Sequence, residues 1–193
     1  MAPFDVYAAA KGLSDLAVRN FKQAHPDFDI ATIYPSIIYG PPGPGQVYDA
    51  PATGTNQYIY YKLIAGATGR PVSGNDPADG ALPLMSVDVR DVARAHVLAL
   101  KLPPSETPKR FILSTSTFTW KDAVELLAEK RPQLKDRLPV ISGKEPPVGP
   151  FATLDTSKTV SELGMKNFVK WQDTVLDTVD AQLRLEKDLG VAK

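Results

Sequence analysis

Tyr7 and Lys11, a phenol and an ammonium four residues apart, have the types and spacing to do acid/base chemistry in this 193-residue chain. Residues at i and i+4 of a helix share a face, so both groups can reach one ligand. A tyrosine hydroxyl titrates near pH ~10 when unperturbed, and a neighbouring cation favours its phenolate. A pair of this kind can hand a proton to an oxygen gaining negative charge, or take one from a hydroxyl. About one strand later comes the run Ile30-Ala31-Thr32-Ile33-Tyr34-Pro35-Ser36-Ile37-Ile38-Tyr39-Gly40.

The elements that must hold the pair can be read from hydrophobic period and breakers. Val6 to His25 has a helical pattern, with Tyr7, Lys11, Asp15 and Arg19 on one stripe and Leu13, Leu16, Ala17 and Phe21 on another. Pro26 ends it. Asp29 to Tyr34 is apolar and β-branched without alternation, the pattern of a strand covered on both faces. Gly40 to Gly45 must be turn and loop, and its three prolines remove the amide donors that a phosphate cradle would need. Asn56 to Ala67 is expected to be a helix and Gly74 to Gly80 a loop, with Met85-Ser86-Val87 a strand. Asp88 or Asp91 should cap a helix from Val89 to Lys101. Phe111-Ile112-Leu113 reads as another strand. Thr119 should cap a helix from Trp120 to Lys130. Pro139 to Pro150 reads as irregular, with an extended piece at Val140-Ile141-Ser142. Short and long helices follow at Thr156–Leu163 and Trp171–Leu189. This alternation implies an α/β fold with a mostly parallel sheet.

Composition narrows the chemistry. Twenty-two basic and 22 acidic residues cancel, leaving no electrostatic footprint for nucleic acid. Cysteine is absent, which removes disulfides and thiolate catalysis and fits a reducing compartment. His25 and His96 have no metal-ligand spacing. No run approaches the ~18 apolar residues of a membrane span, and Met1 to Asp5 is unlike a secretory signal. A cytoplasmic protein is the expectation. Asp88, Arg90 and Asp91 read as a cap with a solvated ion pair. Trp120 and Trp171 read as core anchors, and of Tyr58, Tyr60 and Tyr61 one or two should pack inward.

Four motifs in order resemble the extended short-chain dehydrogenase/reductases, within the NAD-dependent epimerase/dehydratase group and nearest its dihydroflavonol-reductase-like and fungal ketone-reductase branch. They are Tyr7-Ala-Ala-Ala-Lys11 with Asp15, Tyr34-Pro-Ser-Ile-Ile-Tyr-Gly-Pro41, Val87-Asp-Val-Arg-Asp-Val-Ala-Arg-Ala-His96, and Asp155-Thr-Ser-Lys158 leading to Leu163-Gly164. The resemblance implies a partial Rossmann-like fold in one domain over 1–193. Residues 1–40 and 85–115 would form its sheet-and-helix core, with 41–84 and 116–193 a largely helical substrate side. It implies an NAD(P)-dependent oxidoreductase, with NADP slightly favoured over NAD, acting on a small carbonyl compound. Tyr7 would be the proton donor and Lys11 would hydrogen-bond the cofactor's nicotinamide ribose. Pro35, Ser36, Ile37 and Ile38 would border the nicotinamide.

Family members commonly have serine where this chain has Ala10. Their Gly-x-x-Gly-x-x-Gly turn and catalytic serine or threonine precede the tyrosine and are not among these residues. The expectation is therefore a truncated reductase that binds NADP(H) weakly and turns over slowly, with an open sheet edge available for pairing. Two alternatives stand beside it: a non-catalytic remnant acting as a binding or pairing module, and a nucleotide-sugar epimerase or dehydratase. From Tyr39 to Tyr61 the only charge is Asp49, which suits a neutral aldehyde or ketone better than a diphosphate sugar.

Overall fold

The structure, a computed structural model, describes residues 3–66, 70–73, 84–142 and 154–191. A long helix α1 (Pro3–Ala24) leads into β1 (Ala31–Pro35) and, one residue later, β2 (Ile37–Tyr39). Helix α2 (Asn56–Ile59) continues as a π turn over Tyr60–Ile64. Then come β3 (Pro71–Ser73), β4 (Leu84–Asp88), α3 (Val89–Ala99), β5 (Lys109–Leu113) and β6 (Ser116–Phe118). Helix α4 (Trp120–Lys130), a 3₁₀ turn at Pro132–Arg137, β7 (Val140–Ser142), α5 (Ser157–Glu162) and α6 (Trp171–Asp188) complete the chain.

The strands are mostly parallel, as their apolar runs and the helices between them require. β1 lies parallel to β5, from Ala31 opposite Lys109 to Pro35 opposite Leu113. At Ser36 the chain changes neighbours: its N–H still donates to the Leu113 carbonyl (2.8 Å), and from Ile37 onward β2 pairs with β4. β3 pairs in parallel with β7. β4 also pairs with β6, antiparallel, a strand that no sequence signal announces. The Gly74–Gly80 loop and most of the proline-rich 139–150 stretch lie outside the described residues.

Two apolar cores hold these elements. The smaller joins Val87, Val92, Ala95, Phe111, Leu113 and Leu163, with Ile33 and Ile38 packed against it. The larger gathers Tyr39, Ile59, Leu63, Trp120, Leu127, Val175 and others from the C-terminal helices. Trp120 and Tyr60 are buried as core anchors, Trp171 is half-buried against the same core, and Tyr58 and Tyr61 remain exposed. Thr119 caps α4 in a full capping box, its hydroxyl accepting from the Asp122 amide while the Asp122 carboxylate accepts from the Thr119 amide. Inside the larger core the Arg137 guanidinium grips the Glu186 carboxylate at both oxygens, 2.5 and 2.8 Å, and the Tyr60 hydroxyl donates to it at 2.8 Å. Burial, with Glu186 adding to it, pushes the Tyr60 hydroxyl up to about 12.

Two expectations are corrected here. β1 is half-buried at its centre and exposed at both ends rather than covered on both faces. Ile33 enters the smaller core, and on the opposite face Tyr34 meets Asp15 of α1. Among the described residues β1 pairs with β5 and no other strand. The second correction concerns Asp88, which does cap α3 through the Arg90 amide but is not solvated. Its carboxylate is fully buried, and it accepts from the Arg90 guanidinium (2.8 Å at each oxygen) and from the Thr174 hydroxyl (2.7 Å). Helix α6 crosses this strand-to-helix turn and seals it from water. Asp91 is sealed too, accepting from the Val169 amide and from Arg94.

Candidate active site

The site is assembled by the way α1 lies on the sheet. The last residues of α1 and the start of β1 are joined by a short turn in which Lys22 donates to the carbonyls of Pro26 and Phe28, 2.8 Å each. Phe21 lies tilted against His25 and meets Phe28 edge-on, with ring centroids 4.4 and 5.5 Å apart. Further up, Asp15 meets Tyr34 near the end of β1. The helix therefore runs antiparallel to β1, with its N-terminal end beyond the strand's carboxyl end. That is where open α/β sheets take their ligands.

Within α1, the half-buried positions among those whose burial is described are Asp15, Val18 and Lys22, spaced i, i+3, i+7 as one helix face requires. Extending that face toward the N-terminus gives Lys11 and then Tyr7. With a rise of 1.5 Å per residue they stand about 6 and 12 Å past Asp15 along the axis. The two side chains converge, with the Lys11 ammonium 5.6 Å from the centre of the Tyr7 ring. Tyr7 is 57% exposed, so its ring is not packed into a core.

A cleft of about 410 Å³ opens at the point where the chain leaves β5 for β4. It is lined by Tyr34, Pro35, Ser36, Arg110, Ile112 and Leu154. Its walls are mostly apolar. The Ser36 hydroxyl oxygen is buried and has no hydrogen-bond partner among the described residues, so a polar group entering the cleft would find a donor and acceptor there. Pro35 and Ser36 thus border the cleft, whereas Ile37 and Ile38 sit just beyond it on β2. Ile37 is partly exposed, and Ile38 packs on the smaller core. Tyr7 and Lys11 are not among the lining residues. Sequence reasoning assigned no role to Tyr34 or Arg110; the signal that could have found them is a polar side chain on an otherwise apolar strand.

Asp15 is the best-connected group on α1. One oxygen accepts from the Tyr34 hydroxyl; the other accepts from Arg110 at 3.2 Å and meets Arg19 at 3.3 Å. The Tyr34 hydrogen bond, together with Arg110 and Arg19, holds the Asp15 carboxyl below its usual range.

No family model matches the chain. Curated relatives do. Ketoreductase azaE of Aspergillus niger is 35% identical over 167 residues, covering 86% of this chain and 47% of the relative. The NADPH-dependent methylglyoxal reductase GRE2 of Saccharomyces cerevisiae is 30% identical over 198 residues, covering 95% of this chain and 52% of the relative. Among solved structures, Gre2 of Candida albicans in complex with NADPH superposes with a TM-score of 0.75 at 26% identity, over 95% of this chain and 53% of that one. The chain belongs to the extended short-chain dehydrogenase/reductase family. It spans about half the length of the curated relatives it matches. Pro35 lies at the carboxyl end of the parallel β1–β5 pair of this Rossmann-like fold.

Proposed function

We propose that this chain carries the proton-donating and substrate-facing part of an NADPH-dependent reductase of small aldehydes or ketones. The observation that carries the reading is the continuation of α1's body-facing stripe past the end of β1, with Tyr7 and Lys11 in contact on it. The names of the matched ketoreductase and methylglyoxal reductase support the reaction class.

The residues present fit a nicotinamide cofactor. Lys11 offers an ammonium to ribose hydroxyls, and Ser36 offers a buried hydroxyl not otherwise engaged among the described residues. Pro35 and Ile112 give an apolar wall for a ring. When bound, the reduced cofactor supplies a hydride to a carbonyl carbon. The Tyr7 hydroxyl then gives its proton to the carbonyl oxygen as charge develops there, and Lys11 beside it stabilises the phenolate left behind. The 193 residues include no Gly-x-x-Gly-x-x-Gly turn, the element that would hold a pyrophosphate at a helix N-terminus.

The test is NADPH oxidation by the purified chain at millimolar cofactor with a small α-dicarbonyl. Slow but measurable turnover is expected, falling at least a hundredfold in Tyr7→Phe, within the range for general acid catalysis. Equal rates for the two proteins, or no turnover above the protein-free control, would refute the reading.

A further inference from the structure

Nothing in the reductase reading accounts for the polar triangle one turn along α1 from Lys11. Asp15 accepts from the Tyr34 hydroxyl and from Arg110. The Arg110 Nε in turn donates to the Tyr34 hydroxyl oxygen at 3.0 Å, and its guanidinium lies 4.9 Å from the centre of the Tyr34 ring. Each of the three groups touches the other two. They come from α1, β1 and β5, and the two strand residues lie on the same face of the pair, since Arg110 is opposite Thr32 and Ile112 opposite Tyr34.

The rest of α1 does little to fix its position. Val6, Leu13, Leu16 and Phe21 are all exposed, from 44% to 67%. Neither apolar core contains a buried residue from α1. The aromatic contacts of Phe21 lie at the opposite end, near the turn into β1. A helix fastened only there would pivot about its base, and its N-terminal end would sweep the widest arc. Asp15 lies two turns from Tyr7 and one from Lys11, on the same stripe, so it ties α1 to the sheet close to the reacting end.

We infer that Asp15, Tyr34 and Arg110 form a clamp that sets the height and rotation of α1 on the sheet and so positions Tyr7 and Lys11 over the cleft. Its catalytic meaning rests on the reductase reading; the clamp itself does not. Asp15 fixes rotation because a carboxylate held at both oxygens cannot turn freely. Tyr34 fixes height because its ring is anchored in β1 and its hydroxyl reaches only one turn of the helix. Arg110 completes the triangle from the neighbouring strand. These are positioning residues: they act on Tyr7 and Lys11 through α1, and Tyr34 and Arg110 also line the cleft.

Because the chain has no cysteine, two spin labels can be placed without background. Ala9→Cys on the exposed side of α1 and Leu100→Cys after α3, where the side chain is 86% exposed, report the position of α1 by pulsed electron resonance. A single narrow distance distribution is expected with the clamp intact. Asp15→Ala and Tyr34→Phe should each broaden it, and Asp15→Glu, which keeps the carboxylate, should restore it. An unchanged distribution in Asp15→Ala would overturn the clamp.

Kinetics supply the second reading. Asp15→Ala should lower kcat roughly tenfold to a hundredfold, as misplacement of a reacting group by about 1 Å does. The KM for the carbonyl and the melting of the body should stay unchanged, and Asp15→Glu should recover the rate. A broadened distribution with unchanged kcat would overturn the positioning role. If the unmutated chain shows no turnover, the reductase reading falls, while the distance measurement still decides the clamp.

Discussion

Asp88 and Asp91, three residues apart and both buried, show how local partners decide what a carboxylate contributes. Burial by itself would raise Asp88, but the Arg90 guanidinium and amide and the Thr174 hydroxyl overcome that and hold it below its usual range. Asp91 has fewer partners, and burial pushes it up. Their linkage to stability therefore has opposite signs. Asp88 contributes stability above its unfolded value, near pH ~4, and loses it as pH falls through the lower folded value. Asp91, protonated more readily when folded, contributes less as pH rises through its own window. Removing Asp88 leaves a cap unfilled and takes from Arg90 its buried carboxylate partner, leaving only the exposed Asp177. Asp88→Ala should cost roughly 2–4 kcal/mol in urea unfolding at neutral pH, and the deficit should shrink in acid below pH ~4. A deficit that is constant with pH would contradict this account of the buried cap.

At the scale of elements, the legible parts were those whose signal is local. The α1 helix, the cap at Thr119 and the apolar strands β1, β4 and β5 all follow from period, capping chemistry and β-branched runs. β2, β3 and β6 were not legible: each has three residues, too few for a period to show, and each is a strand only because a neighbour pairs with it. The π turn at Tyr60–Ile64 was likewise hidden, because it adjusts a helix so that Tyr60 reaches Glu186, 126 residues away. The apolar side of α1 was legible as a stripe, but its exposure was not, because period says nothing about whether anything covers a face. A paired comparison tests this. Leu16→Lys on α1 should change stability by less than about 0.5 kcal/mol, whereas Leu127→Ala in the larger core should cost ~2–5 kcal/mol. Comparable losses would show that α1 is packed in solution.

At the scale of the whole molecule, the contact between Tyr7 and Lys11 was legible because an i, i+4 spacing survives any tertiary arrangement. The clamp beneath it was not, because Asp15 and Arg110 are 95 residues apart in sequence. In the proposed reading the pair supplies the chemistry and the clamp supplies its place. Neither apolar core draws a described buried residue from α1, so the body does not depend on α1 to hold its shape. The described helices include none long and apolar enough to cross a membrane.

The central claim is that Tyr7, Lys11 and the bend at Pro35 and Ser36 face one nicotinamide-binding position. Amide and tyrosine-ring resonances of the isotope-labelled chain, followed while NADPH is raised into the millimolar range, test it without requiring turnover. The account predicts progressive shifts at Tyr7, Lys11, Ser36 and Ile37, with weak affinity, and their loss in Lys11→Ala. Shifts confined to other parts of the surface, or none at these four residues, would contradict it.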